Sequence, residues 1–153
     1  MASQIFGITM GDSSGIGPEI VLKAQQKGRI AAPAVVYGDL SALTRMNDLL
    51  GYGVSLRAVD KPADFQEGSL NVIELGMLGP AEIAVGRLSG AAGSAGRAYV
   101  VAAAKAALAG EIAAMVTLPM NKEATQLSDP NFTGHTELIG DVCGVTDVTI
   151  LLA

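Results

Sequence analysis

Apolar residues along this chain fall into short continuous runs and one-face repeats, and their order predicts its elements. Residues 5–10 form a run of strand length. A helix follows, with Ile20, Val21 and Ala24 on a face interrupted by Lys23, Gln25 and Gln26, and Gly28 closes it as a C-terminal cap. Ala34–Gly38 is a short buried strand. Asp39 or Ser41 caps the next helix, which carries Leu43, Met46, Leu49 and Leu50 and stops at Gly51. Residues 54–59 alternate as a strand, and 60–68, polar and containing Pro62, form a surface loop. A strand over 70–75 is followed by a stretch broken by Gly76, Gly79, Pro80 and Gly86. Residues 90–94 are a flexible approach to the longest helix, expected over 95–108 with Ser94 as its cap. Residues 113–118 are strand-like and end at Pro119, helices start near Lys122 and Gly134, and 148–153 read as an apolar strand. Strands alternating with helices imply a three-layer α/β/α fold around a mostly parallel sheet.

A chain of 153 residues is one domain or half of a larger protein. Half its residues are hydrophobic and only 4% are aromatic, which suits small-residue packing of helices on a sheet. The net charge is −5 and the ten basic residues are scattered, so nucleic acid is not an expected partner. An anionic substrate must be held by local groups against that global field. Cys143 stands alone, so no internal disulfide forms. A secretory signal is not expected, and no apolar run has the length of a membrane span. A cytoplasmic enzyme, or a piece of one, is the expectation. Because the final residues are a bare apolar run, we expect a protein cut short.

The chemistry concentrates in three places. Between the first strand and helix lie Gly11, Asp12, Ser13, Ser14, Gly15, Ile16, Gly17 and Pro18. Pro18 suits a first helical turn, and Gly15 and Gly17 are expected to supply torsions that a side chain forbids. Such a strand–loop–helix joint favours a phosphate or carboxylate; the plainer reading is a turn that only packs. It is neither a Rossmann fingerprint nor a Walker A loop, since the third glycine would fall at Ile20 and no Gly-Lys-Ser/Thr follows. Asn121 and Lys122 lie just past the carboxyl end of a predicted strand, the edge where open α/β sheets bind ligands. Lys122 is either a solvated lysine or, being costly at a positive helix end, the partner of an anion. In Phe132-Thr133-Gly134-His135-Thr136-Glu137, the glycine, imidazole and hydroxyl again form a candidate anion site, with a capping or core histidine as the alternative. His135 is the sole histidine, so this chain cannot build a three-histidine metal centre.

As strings of letters these stretches are more particular. Thr9-Met10-Gly11-Asp12, with Gly15-Ile16-Gly17-Pro18-Glu19-Ile20 after two intervening residues, resembles the opening signature of the 4-hydroxythreonine-4-phosphate dehydrogenase family of pyridoxal phosphate biosynthesis. The family usually has Pro-Ala where Ser13-Ser14 stands. Thr117, Pro119 and Lys122 match a second family feature, and residues 132–137 match the segment whose His-Thr pair binds the phosphorylated substrate. The resemblance therefore implies substrate binding by His135 and Thr136, a catalytic role for Lys122 in binding the acid group or setting its charge, and a cleft floor made by Gly11, Asp12, Gly15 and Gly17. Many members have histidine at Asn121; the wording here resembles the branch acting on phospho-threonate or phospho-erythronate. Further implications are an isocitrate/isopropylmalate dehydrogenase-like fold, a homodimer, NAD as cofactor, and metal-assisted oxidation with decarboxylation of a phosphorylated four-carbon hydroxy acid. The resemblance spans only the family's amino-terminal half, so residues 1–153 are expected to be that portion of a two-domain enzyme. The divalent metal's ligands are expected outside this chain. Rival readings are a non-catalytic phosphate-binding module, an inert fragment, and the same chemistry on a cis-dihydrodiol acid.

Overall fold

The computed structural model describes residues 4–151. Its strands are β1 (Phe6–Thr9), β2 (Ala34–Gly38), β3 (Leu56–Val59), β4 (Leu70–Glu74) and β5 (Ala114–Thr117). Its α-helices are α1 (Gly17–Gln26), α2 (Leu40–Leu50), α3 (Gly90–Leu108), α4 (Lys122–Gln126) and α5 (His135–Cys143). Among the described residues the strands form one sheet, ordered β3-β4-β2-β1-β5, and every pairing is parallel. The connections through α1 and α2 run toward β3, and the one through α3 runs back to β5. Right-handed crossovers therefore place α1 and α2 on one face and α3 on the other. The packing agrees: α1 lies on α2, while α3 lies on β1, β2 and β5 and carries α4 and α5. The expected three-layer parallel α/β/α architecture is the observed one.

The core follows from the sequence pattern. β2 sits centrally and is buried at every position, as its uninterrupted apolar run requires. Val35, Val36, Val72, Leu22, Leu43 and Tyr99 fill the main core, and a smaller cluster of Val100, Phe132 and Leu138 fixes α5 to α3.

The longest helix departs from expectation. It begins at Gly90, five residues earlier than read, and its cap is Ser89, whose Oγ accepts from the Ala92 N–H at 3.2 Å. Glycines along this helix are contact surfaces, Gly93 of the stretch taken for flexibility among them. A Cβ on Gly93 would collide with the Ala124 carbonyl group, and one on Gly96 would lie 3.2 Å from the Gly11 carbonyl oxygen. Neither Asp39 nor Ser41 caps α2 with its side chain; Glu74, at the end of β4, accepts the Leu40 N–H through Oε2 at 2.6 Å. The 60–68 loop contains a short 3-10 turn, Pro62–Asp64. The strand expected over 148–153 is absent from its described part. Residues 148–151 have no hydrogen-bonded neighbour strand, and Ile150 and Leu151 are 68% and 88% exposed. Leu152 and Ala153 lie outside the described residues.

Candidate active site at the carboxyl edge of the sheet

β1 and β5 are neighbours whose following segments diverge, β1 into α1 on one face and β5 into α4 on the other. That divergence opens a crevice at their carboxyl ends, the place where α/β sheets of this kind bind ligands. Two of the three sequence motifs occupy its lips. The Asp12 N–H donates to the Pro119 carbonyl at 3.0 Å, stitching the lips together.

Glycine makes that approach possible at two points. Gly11 has φ +73°, and a Cβ there would run into the Pro119 carbonyl oxygen. Gly17 has no positive φ but lies against the Met10 carbonyl oxygen, leaving no room for a side chain. Gly15 needs neither: its φ is not positive, and an added Cβ would meet Asp12 atoms only at 3.5 Å or more. The torsional freedom expected of Gly15 and Gly17 belongs to Gly11.

Asp12 is almost wholly buried, and its Oδ1 accepts the Ser14 N–H at 2.8 Å. Burial pushes its carboxyl above the usual carboxylate value, and the Ser14 hydrogen bond pulls the other way. The loop thus spends one of its N–H groups on its own carboxylate and lacks another at Pro18. An incoming anion would meet a buried negative charge there, so the loop suits hydroxyl or amide groups better than phosphate. At the end of β1 and in the loop after it, the hydroxyls of Thr9, Ser13 and Ser14 are buried without hydrogen-bond partners among the described residues.

The other lip carries the second motif. Asn121 caps α4 through Oδ1, which accepts the Ala124 N–H at 3.0 Å. Lys122 opens that helix, exposed to solvent and outside the ion pairs of the described residues, Lys23 with Glu19 and Arg97 with Asp129. The third motif reaches the same place through His135, the first residue of α5. Its imidazole lies beside the Leu118 main chain, next to Pro119, and Nε2 is buried with no partner among the described residues. Burial pulls the imidazole below its ordinary value, and the Leu118 main chain partly opposes this. Thr136, one residue on, lines a different hollow of about 360 Å³ with Glu137, Asp141 and Val148. The structure therefore gathers Gly11, Asp12 and His135 around Leu118–Pro119, sets Gly17 against Met10 behind them, and turns Thr136 toward the outer side of α5.

Two features lay beyond the sequence reading. Asp39, wholly buried at the end of β2, accepts the Tyr99 hydroxyl at 2.8 Å and the Met77 N–H at 2.9 Å, clamping α3 and the 75–79 segment to the carboxyl edge. Burial foremost, and Asp39 beside it, hold the Tyr99 phenol protonated. Arg97 reaches Asp129 at 3.0 Å beside the turn that leads into α5. Neither pairing carried a signal in the sequence, since its partners are brought together only by the fold. Among the described residues, no three His, Cys, Asp or Glu side chains converge as metal ligands, and no helix is long and apolar enough to cross a membrane.

Comparison with known proteins agrees with this geometry. Residues 29–153 match the family described as pyridoxal phosphate biosynthetic protein PdxA. The chain is 37% identical over 152 residues to a D-threonate 4-phosphate dehydrogenase of Cupriavidus necator, covering 97% of this chain and 45% of that protein. It is 35% identical over 151 residues to a 4-hydroxythreonine-4-phosphate dehydrogenase of Trichlorobacter lovleyi, covering 95% and 45%. Among solved structures, the 4-hydroxythreonine-4-phosphate dehydrogenase of Klebsiella pneumoniae superposes with a TM-score of 0.88 at 36% identity, over 95% of this chain and 46% of that one. A terephthalate 1,2-cis-dihydrodiol dehydrogenase of Burkholderia xenovorans superposes with 0.74 at 27% identity, over 93% and 41%. The chain spans about half the length of the curated relatives it matches.

Proposed function

This chain belongs to the PdxA family, and from that membership we propose that it forms the amino-terminal half of an NAD-dependent dehydrogenase acting on a phosphorylated four-carbon hydroxy acid. D-threonate 4-phosphate ranks ahead of 4-phosphooxy-threonine as substrate, because several of the most similar relatives carry that name. The observation that carries the reading is the set of stranded polar atoms at the crevice: Thr9 Oγ1, Ser13 Oγ, Ser14 Oγ and His135 Nε2. Buried polar atoms without partners are costly, and a ligand that bonds them recovers that cost.

His135 Nε2 and the Thr136 hydroxyl take the phosphate in this reading. In the structure His135 lies beside Leu118 while Thr136 lines the hollow on the outer side of α5, so joint binding of one phosphate requires the start of α5 to re-orient. Lys122, at the start of α4 on the β5 side of the crevice, receives the acid group as a point charge. The hydroxyls of Thr9, Ser13 and Ser14 fit the polar, uncharged groups of a nicotinamide cofactor, with Asp12 accepting from an amide or hydroxyl donor. The cofactor supplies hydride acceptance; the chain supplies orientation and exclusion of water. For a divalent metal the described residues offer no ligand set, so we assign its ligands outside this chain and derive no step through it. A homodimer completes the proposal.

Calorimetry with D-threonate 4-phosphate tests the binding half. We expect His135→Ala to weaken binding roughly tenfold or more, the loss of a charge-assisted hydrogen bond. Equal affinity in the variant would sink the phosphate assignment. For the chemistry, the native polypeptide bearing this sequence should form NADH from that substrate with added divalent metal. Absence of turnover with both phosphorylated acids would reject the dehydrogenase reading.

A further inference from the structure

On the α3 face, away from the crevice, the sheet carries a second feature. α3 packs on β1, β2 and β5, and the segment leaving β3, residues 60–62, stands on the far side of the half-buried Ile73 of β4. Between them lies a cavity of about 460 Å³, within the roughly 300–1,000 Å³ typical of small-ligand sites. Its apolar wall is Pro62, Ile73, Ala102 and Ala106.

Tyr37 of β2 forms part of the same wall and is 3% exposed, yet its hydroxyl has no hydrogen-bond partner among the described residues. The sequence makes room for it. A Cβ at Gly7, one strand over, would sit 3.0 Å from the Tyr37 ring and 2.6 Å from Ile112 Cδ1. A glycine inside a strand weakens it, so Gly7 is spent on seating this ring. Burial, with Glu111 nearby, pushes the phenol up to about 12, so it stays a protonated donor.

Around the rim stand Lys61, Lys105, Asp60 and Glu111. None belongs to the ion pairs of the described residues. Two cations and two anions repel a singly charged ligand about as much as they attract it. A zwitterion, properly oriented, meets both signs favourably while its body rests on the alanines of α3.

We propose that this cavity is a binding site for an α-amino acid with an apolar side chain, independent of the crevice at the carboxyl edge. Calorimetry with L-leucine, 4-methylpentanoate and 3-methylbutylamine tests it, because the three share a body and differ by one charged group. Leucine should bind, and each analogue should bind at least roughly tenfold more weakly. Tyr37→Phe should weaken leucine about fivefold, the loss of one hydrogen bond, without lowering the thermal midpoint, since it removes a stranded hydroxyl. Ala102→Leu, at a half-buried position, should abolish binding with an unchanged far-UV spectrum. Absence of leucine binding, equal affinity for the analogues, or binding indifferent to Ala102→Leu would each overturn the proposal.

Discussion

Asp39 accepts hydrogen bonds from Tyr99, sixty positions away, and from the Met77 main chain. Its charge is wholly desolvated, so the value of each donor lies in what its loss would leave behind. Tyr99→Phe keeps the ring and strands a buried carboxylate oxygen, which should cost roughly 1.5–3 kcal/mol. Urea unfolding checks this: the midpoint should fall while the denaturant slope holds. An unchanged midpoint would mean that water replaces the phenol. His135 carries a second prediction. Burial holds its imidazole below 6.5, so the unfolded chain takes up the proton first as pH falls. Its contribution is intact above 6.5 and is lost as pH drops through the interval below that value. Phosphate at Nε2 reverses the shift by favouring the charged ring, so phosphate binding should strengthen toward low pH. As the sole histidine, it gives one ring signal by NMR, with a midpoint below 6.5 in the free chain and a higher one with inorganic phosphate. The contrast between these residues marks how far side-chain chemistry was legible. His135 and Asp12 announced themselves by neighbouring glycines, whereas nothing in the spelling of Asp39 pairs it with Tyr99, because only the crossover of α3 brings them together.

Most elements were legible because periodicity reports burial, and burial decides them. Boundaries failed where a glycine had two explanations. Gly90 and Gly93 read as flexibility, yet both belong to α3, and at Gly93 the α4 main chain at Ala124 packs too closely for a side chain. The cap therefore moves, and its position can be tested. Ser89→Ala should cost about 1 kcal/mol by freeing the Ala92 N–H, while Ser94→Ala, inside the helix, should cost nothing or gain slightly. The reverse order in thermal or urea unfolding would restore the later start. Glycine type is separable in the same way. Gly51→Ala places a side chain at φ +63° in open space, at a cost of about 1–2 kcal/mol. Gly93→Ala gains up to about 1 kcal/mol of helix propensity, but its methyl collides with the Ala124 main chain. Overpacking of about 1–3 kcal/mol or more outweighs that gain, because backbone cannot swing aside. A Gly93→Ala chain as stable as the parent would show that α3 and α4 part easily.

For the whole molecule, alternation of strand and helix implied the layered parallel sheet, but strand order was beyond the sequence. The placement of β1 between β2 and β5 depends on the direction of each crossover, and that placement makes the crevice. Among the described residues it also leaves β5 at an edge with one side unpaired. Val116 on that strand is 51% exposed, and Val148, Ile150 and Leu151 expose further apolar surface. A bare apolar strand edge is a template for pairing with another chain, and natural sheets commonly blunt it with lysine or proline. β5, Ala-Met-Val-Thr, contains neither. The chain should therefore self-associate in solution as concentration rises, through main-chain pairing at β5 more than through loose apolar contact. The two routes respond differently to charge. Val116→Lys should return the chain to monomer in analytical ultracentrifugation while its far-UV spectrum stays fixed. Leu151→Lys, which removes more exposed apolar surface away from the strand, should change the association little. If Leu151→Lys alone dissolves the assembly, the stickiness belongs to residues 148–151 and the β5 edge is inert; a chain monomeric from the outset removes the premise for both.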